Sequence, residues 1–147
     1  MGKVVVLSGG SRGLGLHIVE HLLSKDCTIC TFARSHTHDV VRLEKAHQDS
    51  FMFRALDSRD VEGIKQYIQD IVDRFGRIDG LVNNAAVGQD HLLLHMAEDI
   101  VKDIIDINLF SPIMLSKEVA KQMMQKKLES KDTKLMRVIT KHSSKRL

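Results

Sequence analysis

The sequence predicts an α/β protein, a doubly wound parallel sheet with helices on both faces. Three observations carry that expectation. Short apolar, β-branched runs recur along the chain, beginning with Val4-Val5-Val6-Leu7, and a strand buried on both faces needs such an unbroken run. Segments with apolar residues at helical spacing separate the runs. Strands alternating with helices call for parallel pairing, and right-handed crossovers then wind helices onto both faces.

The first strand, Val4 to Leu7, enters a glycine-rich turn, Ser8-Gly9-Gly10-Ser11-Arg12-Gly13-Leu14-Gly15. A helix from Gly13 to Ser24 follows, with Leu16, Val19, Leu22 and Leu23 on its inner face. The glycines let the backbone turn tightly and approach a ligand with no Cβ between them. The unpaired N–H groups of the first helical turn and the positive end of the helix dipole then face an anion, and the pyrophosphate of a dinucleotide suits that geometry. Cys27 to Ala33 forms the second strand, Asp39 to His47 a helix, and Phe51 to Leu56 the third strand. The next helix is N-capped by Asp60 and carries Val61, Ile64, Ile68, Ile71, Val72 and Phe75 at helical spacing. Gly76 ends it as a left-handed cap. Gly80 to Val82 is a short fourth strand, Asp99 to Lys126 a long helix, and Leu135 to Ile139 a fifth strand. No internal repeat or second domain is visible, so residues 1–147 form one domain, with 127–147 an atypical basic tail.

Composition narrows the class. The chain has 147 residues, 43% hydrophobic and 28% charged, which suits one globular domain. No apolar run is long enough to span a membrane, no signal peptide precedes the first strand, and two cysteines make no disulfide framework. A cytoplasmic protein is expected. Cys27 and Cys30 lie three apart on a strand and point to opposite faces, which suits buried thiols and no metal. His17 and His21 sit on the outer face of the first helix, and no third ligand accompanies them or the pair His91 and His95. His36-Thr37-His38 reads as a loop. From Lys121 to Leu147 there are nine Lys and Arg against two acids. No nucleic-acid motif or aromatic platform accompanies that excess, so it reads as a solvated helix end and tail, with no nucleic-acid partner.

Ligands of such sheets lie at the carboxyl ends of the strands, so the residues after each strand carry the chemistry. After the second strand come Arg34 and Ser35, with no acid. An acid there would hold both ribose hydroxyls and repel a 2′-phosphate, whereas a basic residue pairs with that phosphate. Arg34, with Arg12 as a second charge, therefore favours NADP (NADPH) over NAD. After the third strand come Leu56 and Asp57, and after the fourth Asn83-Asn84-Ala85-Ala86. Side-chain amides there can tie neighbouring strands together, and small residues let a cofactor lie against the backbone. Pro112, the single proline, stands four residues after Asn108. It has no N–H to give the Asn108 carbonyl, so the long helix should kink there.

These motifs, in this order, resemble the short-chain dehydrogenase/reductase family over about the first 126 residues. Gly9-x-x-x-Gly13-x-Gly15 after Ser8 is similar to its TGxxxGxG turn, Asn83-Asn84-Ala85-Ala86 to its NNAG, and Asp106-Ile107-Asn108-Leu109 to its asparagine-bearing helix. The resemblance implies a Rossmann-type fold. It implies cofactor contacts from Ser8, Gly9, Ser11, Arg12, Gly13, Leu14, Gly15, Arg34, Ser35, Leu56, Asp57, Asn84, Ala85 and Ala86, with Asp57 meeting the adenine amino group. It implies that Asn108 is the catalytic asparagine, whose carbonyl holds a water in a proton relay. Ser143 falls on the catalytic serine, although Lys141 and His142 replace an apolar and a small residue. The family's Tyr-x-x-x-Lys should follow, but the sequence given stops at Leu147, and Tyr67, the only tyrosine, has no lysine four residues on. The chain thus reads as a cofactor-binding half, truncated after about five strands. The implied chemistry is NADPH-dependent reduction of a carbonyl substrate, a 3-oxoacyl thioester or small ketone. The alternative is a catalytically silent nucleotide-binding or interaction module. Family dimers form through the helix at 99–126, so a homo-oligomer is implied, with a stripe including Ile104, Ile105, Leu115 and Val119 open to a partner.

Overall fold

A computed structural model describes residues 2–90, 92–130 and 137–140. Five parallel strands form one sheet in the order β3-β2-β1-β4-β5. They are β1 (Val4–Ser8), β2 (Thr28–Ala33), β3 (Phe51–Ala55), β4 (Gly80–Asn83) and β5 (Arg137–Thr140). The helices between them are α1 (Gly13–Leu23), α2 (His38–Ala46), α3 (Val61–Phe75), α4 (Glu98–Ile105) and α5 (Ser111–Ser130).

The unbroken apolar run of β1 has a direct cause. Val4 and Val6 face one layer and Val5 and Leu7 the other, since successive strand residues alternate sides. Val4 and Val6 pack with Phe32, Ile64, Ile68 and Ile71 under α3 and α5. Val5 and Leu7 pack with Leu16, Val19, Val40 and Leu43 under α1 and α2. All four are buried, which is the environment of a central strand. The register runs Val4 with Thr28 through Ser8 with Phe32 on one side, and Val5 with Gly80 through Ser8 with Asn83 on the other.

Local signals explain the helix ends. Asp60 accepts the Gly63 N–H at 2.9 Å as the N-cap of α3, and Gly76 closes that helix at φ 74°, a left-handed conformation that favours glycine. The segment His36-Thr37-His38 is not wholly loop: Thr37 is the N-cap of α2, accepting the Val40 N–H at 3.4 Å, and His38 starts the helix. The expected long helix is divided. Between α4 and α5 the backbone widens to a π turn over Asp106–Phe110, with the Ser111 N–H donating to the Asp106 carbonyl. Wide turns of this kind are where a helix admits an extra residue, and Pro112 stands two residues beyond Phe110, with no N–H for a regular α-helical bond.

Leu115 and Val119 depart from expectation. They are buried, at 1% and 0% exposure, among the α3 side chains, rather than on a stripe awaiting a partner. Ile105 is exposed. The sole tyrosine, Tyr67, is wholly buried. Its hydroxyl lies 2.9 Å from the Thr31 carbonyl and 3.0 Å from that of Met52, its ring meets Phe32 edge-on, and burial pushes its pKa well up. It is a core strut between β2 and β3.

Candidate functional site: a cleft at the switch point of the sheet

The chain runs outward from β1 to β2 and β3, then returns to the other side of β1 for β4. The strand order reverses between β1 and β4, and a crevice opens at such a point beyond the carboxyl ends of the strands. A cleft of about 390 Å³ lies there. The glycine turn forms its floor, Arg34, Ser35, Asp57 and Ser58 one wall, and Asn84 to Val87 with Ile107 the other.

The floor is pinned from below. The Gly9 N–H donates to the Phe32 carbonyl at 2.8 Å. The Gly10 N–H donates to Thr31 Oγ1 at 3.1 Å, and that hydroxyl donates to the Leu7 carbonyl at 2.7 Å. Thr37 Oγ1 donates to the Ser11 carbonyl at 2.9 Å. These bonds hold the loop without using side chains on the cleft side. Gly15 is required by close approach: a Cβ there would lie 2.6 Å from Asn84 Nδ2 and 2.9 Å from the Gly9 carbonyl carbon. Gly13 is required by conformation, at φ 55°, and a Cβ there would meet nothing within 4 Å.

At the start of α1 the N-cap position is Arg12, whose side chain makes no capping bond. Among the described residues no side chain caps the first-turn N–H groups of α1, beside the cleft that Gly13, Leu14 and Gly15 line. A helix begun this way is a ready anion site. Arg12 and Arg34 are both exposed and both line the cleft, and among the described residues neither belongs to an ion pair. A backbone cradle, a helix start that Arg12 leaves uncapped and two exposed guanidiniums outside the described ion pairs fit a phosphorylated dinucleotide.

The β4 side is tied in by amides. Asn84 Nδ2 donates to the carbonyls of Ser8 at 3.2 Å and Gly9 at 3.1 Å. Ser8 Oγ accepts the N–H groups of Asn84 at 3.0 Å and Ala85 at 3.1 Å, so Ser8 acts as a buried strut between β1 and the loop after β4 and does not line the cleft. Leu56 is also off the cleft, packed against the core. Asn108 sits in the π turn and grips the backbone of Val87: Oδ1 accepts its N–H at 2.8 Å and Nδ2 donates to its carbonyl at 2.7 Å. Asn108 thus sets the far wall. The other expected cofactor residues, Gly9, Ser11, Arg12, Gly13, Leu14, Gly15, Arg34, Ser35, Asp57, Asn84, Ala85 and Ala86, all border the cleft. Ser143 and His91 lie outside the described residues.

The sequence reading missed Phe32, Ala33, Ser58, Val87 and Ile107 as cleft residues. Phe32 and Ala33 end β2, Ser58 and Val87 come after β3 and β4, and Ile107 lies in the π turn between α4 and α5; position alone was the available signal. Asp57 is not an open carboxylate. Arg59 holds it with Nη2 at 2.7 Å and Nε at 3.0 Å, and those bonds, with the nearby charge of Arg34 also contributing, keep its pKa below the usual carboxylate value. Cys30 is buried in the core, and burial pushes its thiol up to about 12. His17 and His21 are exposed, and among the described residues no His, Cys, Asp and Glu cluster could hold a metal ion. No described helix is long and apolar enough to cross a membrane.

Comparison with known proteins agrees with this architecture. The family model for short chain dehydrogenase matches residues 3–132. The chain belongs to the short-chain dehydrogenase family. Among curated members, the 3-oxoacyl-[acyl-carrier-protein] reductase FabG of Salmonella typhimurium is 34% identical over 128 residues, covering 86% of this chain and 51% of that protein. The chain therefore spans about half the length of the curated relatives it matches. Among solved structures, a short-chain dehydrogenase from Streptomyces avermitilis superposes with a TM-score of 0.79 at 30% identity, over 86% of this chain and 46% of that one. ElxO with NADP bound gives a TM-score of 0.75 at 29% identity, over 85% and 52%.

Proposed function

We propose that the cleft binds NADP(H) and that the chain is the nucleotide-binding part of an NADP-dependent oxidoreductase acting on a carbonyl. The observation that carries this reading is the uncapped start of α1 beside Gly13, flanked by the exposed guanidiniums of Arg12 and Arg34. The backbone N–H groups of Gly13, Leu14 and Gly15 would hold the pyrophosphate, and Arg34 with Arg12 the 2′-phosphate. Asp57 borders the space for adenine, and Ala85 and Ala86 leave room along the backbone. When bound, NADPH supplies a hydride to the carbonyl carbon. Asn108 fixes the wall formed by Val87. The 3-oxoacyl thioester class is supported by the similarity to FabG proteins, and NADP by the neighbour that carries it.

A second reading rests on Tyr67. It is the one tyrosine in the 147 residues, and its hydroxyl is engaged in the core, so it supplies no proton to a substrate. On that reading the chain binds nucleotide without turnover. A cytoplasmic location accords with either. We further propose that a second copy docks over 99–126, where Ile105, Leu109, Phe110 and Ile113 are exposed, with sedimentation as the check.

Calorimetric titration of the full chain with NADPH and NADH tests the main reading. Saturable binding that favours NADPH is expected. Arg34→Ala should weaken NADPH about tenfold, of the order of one charge-assisted bond, and leave NADH nearly unchanged. Equal affinity for both nucleotides, or no effect of Arg34→Ala, would overturn the NADP assignment. Carbonyl substrate added to the NADPH complex then separates the two readings by turnover.

A further inference from the structure

Asp57 and Arg34 border the same cleft and form no ion pair with each other; Arg59 holds the carboxylate. Oδ1 accepts the Arg59 backbone N–H at 2.9 Å and Nε at 3.0 Å, and Oδ2 accepts Nη2 at 2.7 Å. The remaining arm of the fork, Nη1, donates to Asp103 Oδ1 on α4 at 2.7 Å. One guanidinium thus bridges the loop after β3 and a helix 44 residues away in sequence. Both oxygens of Asp57 are engaged by a planar, bidentate partner, the arrangement that fixes a carboxylate most firmly.

The alternative partner is close at hand. Arg34 is exposed, and its charge already acts on Asp57. A carboxylate left without Arg59 would draw that guanidinium into a pair, removing it from the cleft. Asp57, Arg59 and Asp103 together carry one net negative charge, and loss of Arg59 would raise it to two beside Arg34. Arg59 itself does not line the cleft.

We propose that Arg59 is a positioning residue for nucleotide specificity: by occupying Asp57 it keeps Arg34 free for a 2′-phosphate. The inference rests on the reading of the cleft as an NADP site. Its readout is the ratio of the NADH and NADPH dissociation constants, in which contacts to the shared adenine, ribose and pyrophosphate cancel.

The test uses the full chain in three forms: unmodified, Arg59→Ala, and Arg59→Ala combined with Asp57→Asn. The ratio should fall about fivefold in Arg59→Ala, the effect of one unit charge at about 4 Å in water. It should recover in the double variant, because the neutral amide no longer competes for Arg34. A merely structural role weakens both nucleotides alike and leaves the ratio where it was, whereas a loss of positive charge acting directly on the 2′-phosphate would lower the ratio even without Arg34. Arg59→Ala is therefore also made in the Arg34→Ala background, where the proposal predicts no further fall and a further fall of similar size overturns it. An unchanged ratio, or a lowered ratio that Asp57→Asn fails to restore, overturns the proposal. If the unmodified chain shows no NADPH preference, the NADP reading fails and takes this inference with it. If the preference is present and lost in Arg34→Ala while Arg59→Ala keeps it, only this inference fails. Circular dichroism checks folding. Should Arg59→Ala not fold, Arg59→Lys carries the test: it keeps the charge but cannot span both acids, so a partial fall in the ratio supports the proposal and an unchanged ratio overturns it.

Discussion

Two glycines two residues apart should respond differently to the same added methyl. In Gly15→Ala the Cβ would sit 2.6 Å from Asn84 Nδ2 and 2.9 Å from the Gly9 carbonyl carbon, well inside the roughly 3.5 Å at which favourable carbon contacts begin. The Gly9 backbone cannot retreat freely, because its N–H is bonded to Phe32 and its carbonyl to Asn84. Overpacking of this kind costs about 1–3 kcal/mol, and loss of the Asn84 bond adds about 1 kcal/mol. Alanine returns up to ~1 kcal/mol through its better helix propensity. The net expectation is a loss of about 1–4 kcal/mol. Gly13→Ala meets no atom within 4 Å and bears only the conformational cost of φ 55°, about 1–2 kcal/mol. Urea unfolding gives both costs, and titration with NADPH gives the functional consequence. Gly15→Ala should also displace the cleft floor and weaken NADPH at temperatures where the variant is still folded. A Gly15→Ala chain with the original midpoint and the original affinity would refute the close-approach argument.

Two further expectations concern the core. Tyr67→Phe removes the hydroxyl shared by the Thr31 and Met52 carbonyls and should cost about 1–3 kcal/mol, read as a fall of several degrees in thermal midpoint; an unchanged midpoint would refute the strut. Burial raises the Cys30 thiol from 9.0 to about 12, so the folded state holds a proton that the unfolded state releases. That contribution to stability is fully present below about pH 9 and is lost as pH rises toward 12. Tyr67, raised in the same direction, adds to the alkaline loss. Unfolding titrations from pH 8 to 10 should show stability falling with pH, and Cys30→Ala should flatten the portion that begins near pH 9. A flat profile in the unmodified chain would contradict it.

Much of the fold was legible because the physics is local. The double-sided burial of β1 appears in sequence as four consecutive apolar residues, and Gly76 marks a helix end that requires a left-handed residue. The cleft floor was legible for the same reason, since Gly13 and Gly15 answer to backbone conformation and close approach. What escaped the sequence depends on distant partners. The strut role of Ser8 needs Asn84 and Ala85, which are 76 and 77 residues away. Leu115 and Val119 looked unpartnered because nothing local shows that α5 packs on α3. Pro112 signalled an irregular helix, but not that bonding widens over Asp106–Phe110. Arg59 stood beside Asp57 in plain view, yet its hold on Asp103 is a tertiary contact.

The central claim is that the N-terminus of α1 and the glycine turn hold the pyrophosphate of a nicotinamide nucleotide. Amide hydrogen exchange in the presence and absence of saturating NADPH tests it most directly. The account predicts slowed exchange at Gly13, Leu14 and Gly15, whose N–H groups begin α1 without a side-chain cap, and little change in α3, on the other face of the sheet. Saturable NADPH binding with no protection at those three amides would contradict it.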